Sequence, residues 1–132
     1  MARILLVEDE ADIRELIEDA FAERGLELRS AASDRAAYEI LEAEAGGYEL
    51  LITDINLGEG TTGFDVARRA RQLNGSLRVI YITGHAAHMG RFGVDGGEMF
   101  PKPFRPAELA ERAVQVLDIG ARDLPPQDAP PN

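Results

Sequence analysis

Ile4-Leu5-Leu6-Val7-Glu8-Asp9-Glu10 opens the chain with four branched apolar residues that run straight into three carboxylates. A short, uninterrupted apolar run bounded by polar residues is what a strand buried on both faces presents. Leu50 to Ile52, followed by Thr53-Asp54, repeats the pattern, and so does Val79 to Ile82, followed by Thr83-Gly84. Leu26-Glu27-Leu28-Arg29 alternates instead. Glu98-Met99-Phe100 is brief and bounded by Gly97 and Pro101. Both read as edge strands, where a proline removes no ladder bond.

Amphipathic segments lie between these runs. Ile13, Leu16, Ile17, Ala20 and Phe21 recur at helical spacing, as do Ala37, Ile40 and Leu41 more briefly. Val66, Ala67, Ala70 and Leu73 form a third such series. Leu109, Ala110, Ala113, Val114 and Leu117 form the last, with Pro106 placed where a first helical residue tolerates proline. Strand and helix alternating five times predict an α/β fold: a doubly wound, five-stranded parallel sheet with helices on both faces. Glycines at 84, 90, 93, 96 and 97 disfavour a stable helix before the fifth strand, so any fourth helix is expected to be short. The expected organisation is one domain over residues 1–118 and a proline-rich, disordered tail over 119–132.

Composition narrows the function. Of 132 residues, 14 are Lys or Arg and 24 are Asp or Glu, a net charge of −10. Such a surface repels phosphate backbones and anionic lipids, which argues against nucleic acid or membrane as partners. The absence of cysteine excludes disulfides, thiolate catalysis and thiolate zinc sites. Apolar runs of about four residues fall far short of a membrane span or signal-peptide core, and a cytoplasmic protein is expected.

In doubly wound sheets, ligands bind beyond the carboxyl ends of the strands. Glu8-Asp9-Glu10, Thr53-Asp54, Thr83-Gly84 and Lys102-Pro103-Phe104 all fall on that one rim. Three carboxylates after the first strand would repel a phosphate, and each other, unless a cation sits among them. A small, hard, oxygen-seeking ion such as Mg²⁺ suits them. With the ion present, Lys102 can neutralise one phosphoryl oxygen, Thr83 can bond another, and Asp54 becomes a plausible nucleophile toward phosphorus. Glu10 and Asp12 read as helix-start residues, His85 and His88 as solvated surface, and Arg68, Arg69 and Arg71 as one face of a helix.

Glu8-Asp9, Asp54, Thr83 and Lys102-Pro103-Phe104, in this order and on these strand ends, resemble the receiver domain of two-component response regulators over roughly residues 3 to 118. The resemblance implies the strand order 2-1-3-4-5 and phosphorylation of Asp54 by a histidine kinase or histidine phosphotransfer protein. It implies Mg²⁺ held by Asp9, Asp54 and the backbone carbonyl of Asn56, with Glu8 helping through water. It also implies that Lys102 pairs with the phosphoryl group, that Thr83 moves to bond it, and that the Lys102-Pro103 bond is cis.

Some positions depart from the pattern. Glu8 stands where aspartate is commoner, and the loop from Asp54 to Gly63 is one residue longer than usual and lacks its proline. Thr83 and Lys102 are 19 residues apart, somewhat short for the family. Met99 occupies the place of a switching Tyr or Phe. The expectation is a stand-alone phosphoacceptor signalling domain, not an enzyme, whose output is a change of protein partner. Two rivals differ from it in chemistry. A Mg²⁺-dependent aspartyl phosphatase would need a second aspartate where Asn56 stands and its nucleophile on the first strand. A pseudo-receiver would keep the fold without phosphorylation.

Overall fold

The computed structural model describes residues 3–57, 62–84 and 97–122, the last five by their backbone alone. In chain order the elements are β1 (Ile4–Val7), α1 (Ala11–Glu23), β2 (Leu28–Ala31), α2 (Asp34–Glu44), β3 (Leu50–Asp54), α3 (Gly63–Leu73), β4 (Arg78–Thr83), β5 (Glu98–Pro101) and α4 (Pro106–Arg122). All neighbouring strands are parallel, in the order β2-β1-β3-β4-β5. The short helix expected before β5 falls on residues 85–96, outside the described residues, as do His85 and His88.

Alternation along the strands divides the core into two layers. Leu5, Val7, Leu51, Tyr81 and Met99 are buried with residues of α2 and α3 on one face of the sheet. Ile4, Leu6, Leu50, Ile52, Ile80 and Ile82 are buried with residues of α1 and α4 on the other. The runs of Ile, Leu and Val are continuous because both faces are covered.

Several expectations are corrected. The alternating segment Leu26–Arg29 is not one strand: β2 begins at Leu28, which pairs with Ile4. Leu26 belongs to the end of α1 instead. Gly25 has φ +75°, and the N–H groups of Gly25 and Leu26 donate to the carbonyls of Ala22 and Phe21. This is a Schellman closure, which places an apolar residue after the glycine to pack back on the helix. Leu16 is another: it is 56% exposed, while Ile17 and Phe21 carry the buried stripe of α1, and Leu73 at the end of α3 is exposed as well. Helix α4 starts at Pro106 as expected and runs to Arg122, past Ile119 where the apolar spacing stops.

Local signals fix the helix starts. Ser33 caps α2 through its hydroxyl, which accepts from the Ala36 N–H at 3.1 Å. Thr62 and Asp65 cap α3 reciprocally: each side chain accepts the other's backbone N–H, at 3.3 and 3.1 Å. Arg68 pairs with Asp65 and Arg69 with Glu42, both helix-surface contacts.

Candidate functional site

Parallel pairing carries the ends of β1, β3, β4 and β5 to one edge, and the polar residues that follow the apolar runs arrive there together. Glu8, Asp9 and Asp54 each offer a carboxylate oxygen, and these oxygens lie within 4.8 Å of one another. Glu8 and Asp54 are buried, whereas Asp9 is exposed. The Lys102 ammonium donates to Asp54 Oδ2 at 2.8 Å. The other Asp54 oxygen, Oδ1, accepts the backbone N–H of Asn56 at 3.1 Å. Thr83 is buried at the end of β4, and its carbonyl accepts the Lys102 N–H at 2.8 Å, which ties the lysine's backbone to that strand end. The Lys102–Pro103 peptide is cis.

Glu8 is held by its main chain. Its N–H donates to the Ala31 carbonyl at 3.0 Å, and its carbonyl accepts from Arg14 Nη1 at 3.0 Å. Its Oε2 accepts the Glu10 N–H at 3.1 Å, whereas buried Oε1 has no hydrogen-bond partner among the described residues. Burial pushes the Glu8 carboxyl up to about 7, helped by the charges of Asp54 and Asp9 and opposed by the Glu10 N–H and by Lys102. At Lys102, burial disfavours the ammonium, but the hydrogen bond and charge of Asp54, with Glu8 and Glu10 behind, hold its pKa above the ordinary value.

A buried carboxylate with one oxygen unpartnered among the described residues, clustered with two further carboxylates, is costly by itself and fits a hard cation. Glu10 occupies the N-cap position of α1 without a side-chain capping bond, and gives the cluster its N–H rather than its carboxylate. An apolar groove of about 430 Å³ flanks the site, lined by Ile13, Leu16, Pro103, Phe104 and Pro106 with Lys102. The exposed Leu16 forms part of its wall.

Residues 4–123 match the family described as the response regulator receiver domain. The chain belongs to that family. Among curated proteins, this receiver is 32% identical over 120 residues to the response regulator receiver protein CpdR of Brucella abortus, covering 89% of the chain and 98% of CpdR. Among solved structures, it is 34% identical to the receiver domain of the hybrid histidine kinase CckA, with a TM-score of 0.75 over 88% of this chain and 99% of that one. The response regulator TrrA of Thermotoga maritima, solved in complex with Mg²⁺-BeF, is 30% identical with a TM-score of 0.74, at 88% and 99% coverage. Among the described residues of the receiver, no helix is long and apolar enough to cross a membrane.

Glu8, Asp9, Asp54, Asn56, Thr83 and Lys102 thus share one edge of the receiver's sheet. Two contributors escape a reading of the sequence. Arg14 reaches back six residues to the Glu8 carbonyl, and nothing in the spacing marks it. Gly63 packs against the backbone of Asp54; the sequence shows it only as the end of the loop after Asp54.

Proposed function

We propose that this receiver is a phosphorylatable signalling domain in which Asp54 accepts a phosphoryl group from a phosphohistidine donor, a histidine kinase or histidine phosphotransfer protein. The observation that carries the reading is the pairing of a buried Asp54 with Lys102 at 2.8 Å, beside two further carboxylates within 4.8 Å. A carboxylate oxygen of Asp54 attacks phosphorus, the P–N bond to the donor imidazole breaks, and its electron pair leaves with the imidazole. Lys102 then exchanges its contact with Asp54 for a phosphoryl oxygen, and the Thr83 hydroxyl bonds another.

Asp9, Asp54, the Asn56 carbonyl and Glu8 would hold Mg²⁺, which supplies charge neutralisation that lets an anionic donor approach three carboxylates. The TrrA complex with Mg²⁺-BeF supports the choice of ion. The apolar groove beside Lys102 supports a protein donor, since a folded partner can cover Leu16, Phe104 and Pro106. Output is a change of protein partner, and the domain performs no chemistry beyond gaining and losing its own phosphoryl group. A cytoplasmic location completes the reading.

Intact mass after incubation with a small phosphodonor and Mg²⁺ tests it. One added phosphoryl group is expected on the natural chain and none on Asp54→Asn. Equal labelling of the two proteins excludes Asp54 as acceptor. No labelling of either leaves an interaction module that keeps the fold alone.

A further inference from the structure

The chain leaves β3 at Asp54 and returns to start α3 at Gly63, and the return is tightly closed. Asn56 and Thr62 form an antiparallel bridge, and the Gly63 N–H donates to the Ile55 carbonyl at 2.8 Å. Gly63 is itself buried. A Cβ at this position would lie 2.3 Å from the Asp54 carbonyl oxygen, 3.0 Å from its carbonyl carbon and 3.1 Å from the Ile55 Cα.

All three neighbours are backbone atoms, so no side-chain rotation relieves the overlap. The conformation does not ask for glycine: among the described residues only Gly25 has a positive φ, and at a helical position alanine is the better helix former. The close approach alone excludes a side chain. What it approaches is the peptide between Asp54 and Ile55, which leads directly to the Asn56 N–H bonded to Asp54 Oδ1.

We infer that Gly63 is a positioning residue for Asp54: by lacking a Cβ, it lets the start of α3 seat against the Asp54 carbonyl and so fixes the carboxylate and the Asn56 peptide together. This rests on the reading of Asp54 as phosphoacceptor and metal ligand, and adds to it the residue that holds its backbone. Displacing the Asp54 carbonyl by the several tenths of an ångström that a Cβ demands tilts that peptide, and with it both groups that face the cation site.

Gly63→Ala tests the inference, with Gly75→Ala as control because a Cβ there meets nothing within 4 Å. For Gly63→Ala, Mg²⁺ titration should give a dissociation constant raised at least tenfold, the Asn56 amide resonance should move, and labelling by a small phosphodonor should slow at least tenfold. Gly75→Ala should match the natural chain in all three. A Gly63→Ala protein that melts lower yet keeps natural Mg²⁺ affinity and an unmoved Asn56 resonance has lost packing only, and overturns the inference. Should that variant not fold, the natural chain decides: the Gly63 amide must respond to Mg²⁺ in step with Asn56, and its silence overturns the inference. A natural chain that binds Mg²⁺ but takes up no phosphoryl group refutes the phosphoacceptor reading alone, leaving Gly63 to the metal and resonance readouts.

Discussion

Lys102 Nζ lies 2.8 Å from Asp54 Oδ2, across 48 residues of chain, with 5% of the aspartate side chain and 29% of the lysine side chain exposed. The aspartate is committed to the interior while the lysine keeps a path outward. An ammonium on a flexible stem is a point charge that can follow an anion as it grows, which a forked guanidinium does less readily. The contact therefore suits a lysine that first neutralises a carboxylate and then a phosphoryl group.

Lys102→Ala should destabilise the metal-free protein by about 2 kcal/mol, between the values for exposed and buried ion pairs. Mg²⁺ should bind the variant at least as tightly, because a cation competing for the same carboxylates is gone. Melting curves with and without Mg²⁺ measure both. The spectral change that accompanies phosphorylation should be lost, and a full change in the variant would show that the lysine does not read the phosphoryl charge.

Asp9→Ala should weaken Mg²⁺ binding at least tenfold, whereas Glu10→Ala should leave it nearly unchanged. Glu10 gives the cluster its backbone N–H, which alanine retains. If the Glu10 variant bound Mg²⁺ the worse of the two, the assignment of carboxylates would have to shift along the chain.

The Glu8 carboxyl, raised to about 7 by burial, makes the metal-free fold pH-dependent. Between the unfolded value near 4.5 and the folded value near 7, the native state binds the extra proton. Its stabilisation is complete below the lower value and is lost as pH rises through the upper one, a fall of about 3 kcal/mol. Glu8→Gln should flatten that slope in urea unfolding measured from pH 4 to 8 (about the range in which the group titrates). Parallel slopes in the two proteins would place the titrating group elsewhere.

Met99 is buried on edge strand β5, opposite Tyr81, and Met99→Ala should cost about 2 kcal/mol, the lower end for a core methionine. Leu16→Ala, at a half-exposed position, should stay within about 0.5 kcal/mol. Urea midpoints compare them directly, and a costly Leu16→Ala would mean that the groove beside Lys102 is packed more closely than its exposure indicates.

The sequence by itself determined the class of fold and the edge that carries the chemistry. Apolar runs such as Ile4–Val7 and Leu50–Ile52, each ending in carboxylates or a Thr-Asp pair, need only local spacing to be read. In a parallel sheet every run ends on the same side, so Glu8, Asp54, Thr83 and Lys102 could be gathered before any contact was known. Tertiary structure alone decided the rest. Leu26 and Leu28 alternate like one strand, yet the Gly25 turn gives the first to a helix end and pairing with β1 gives the second to the sheet. Leu16 shares the spacing of Ile17 and Phe21, but the helix packs through those two and leaves Leu16 beside the groove. The burial of Glu8 and the seating of Gly63 on the Asp54 carbonyl likewise depend on atoms brought from distant parts of the chain. Periodicity records which side of an element is apolar; what meets that side, and how closely, is set by register and desolvation, which no single segment encodes.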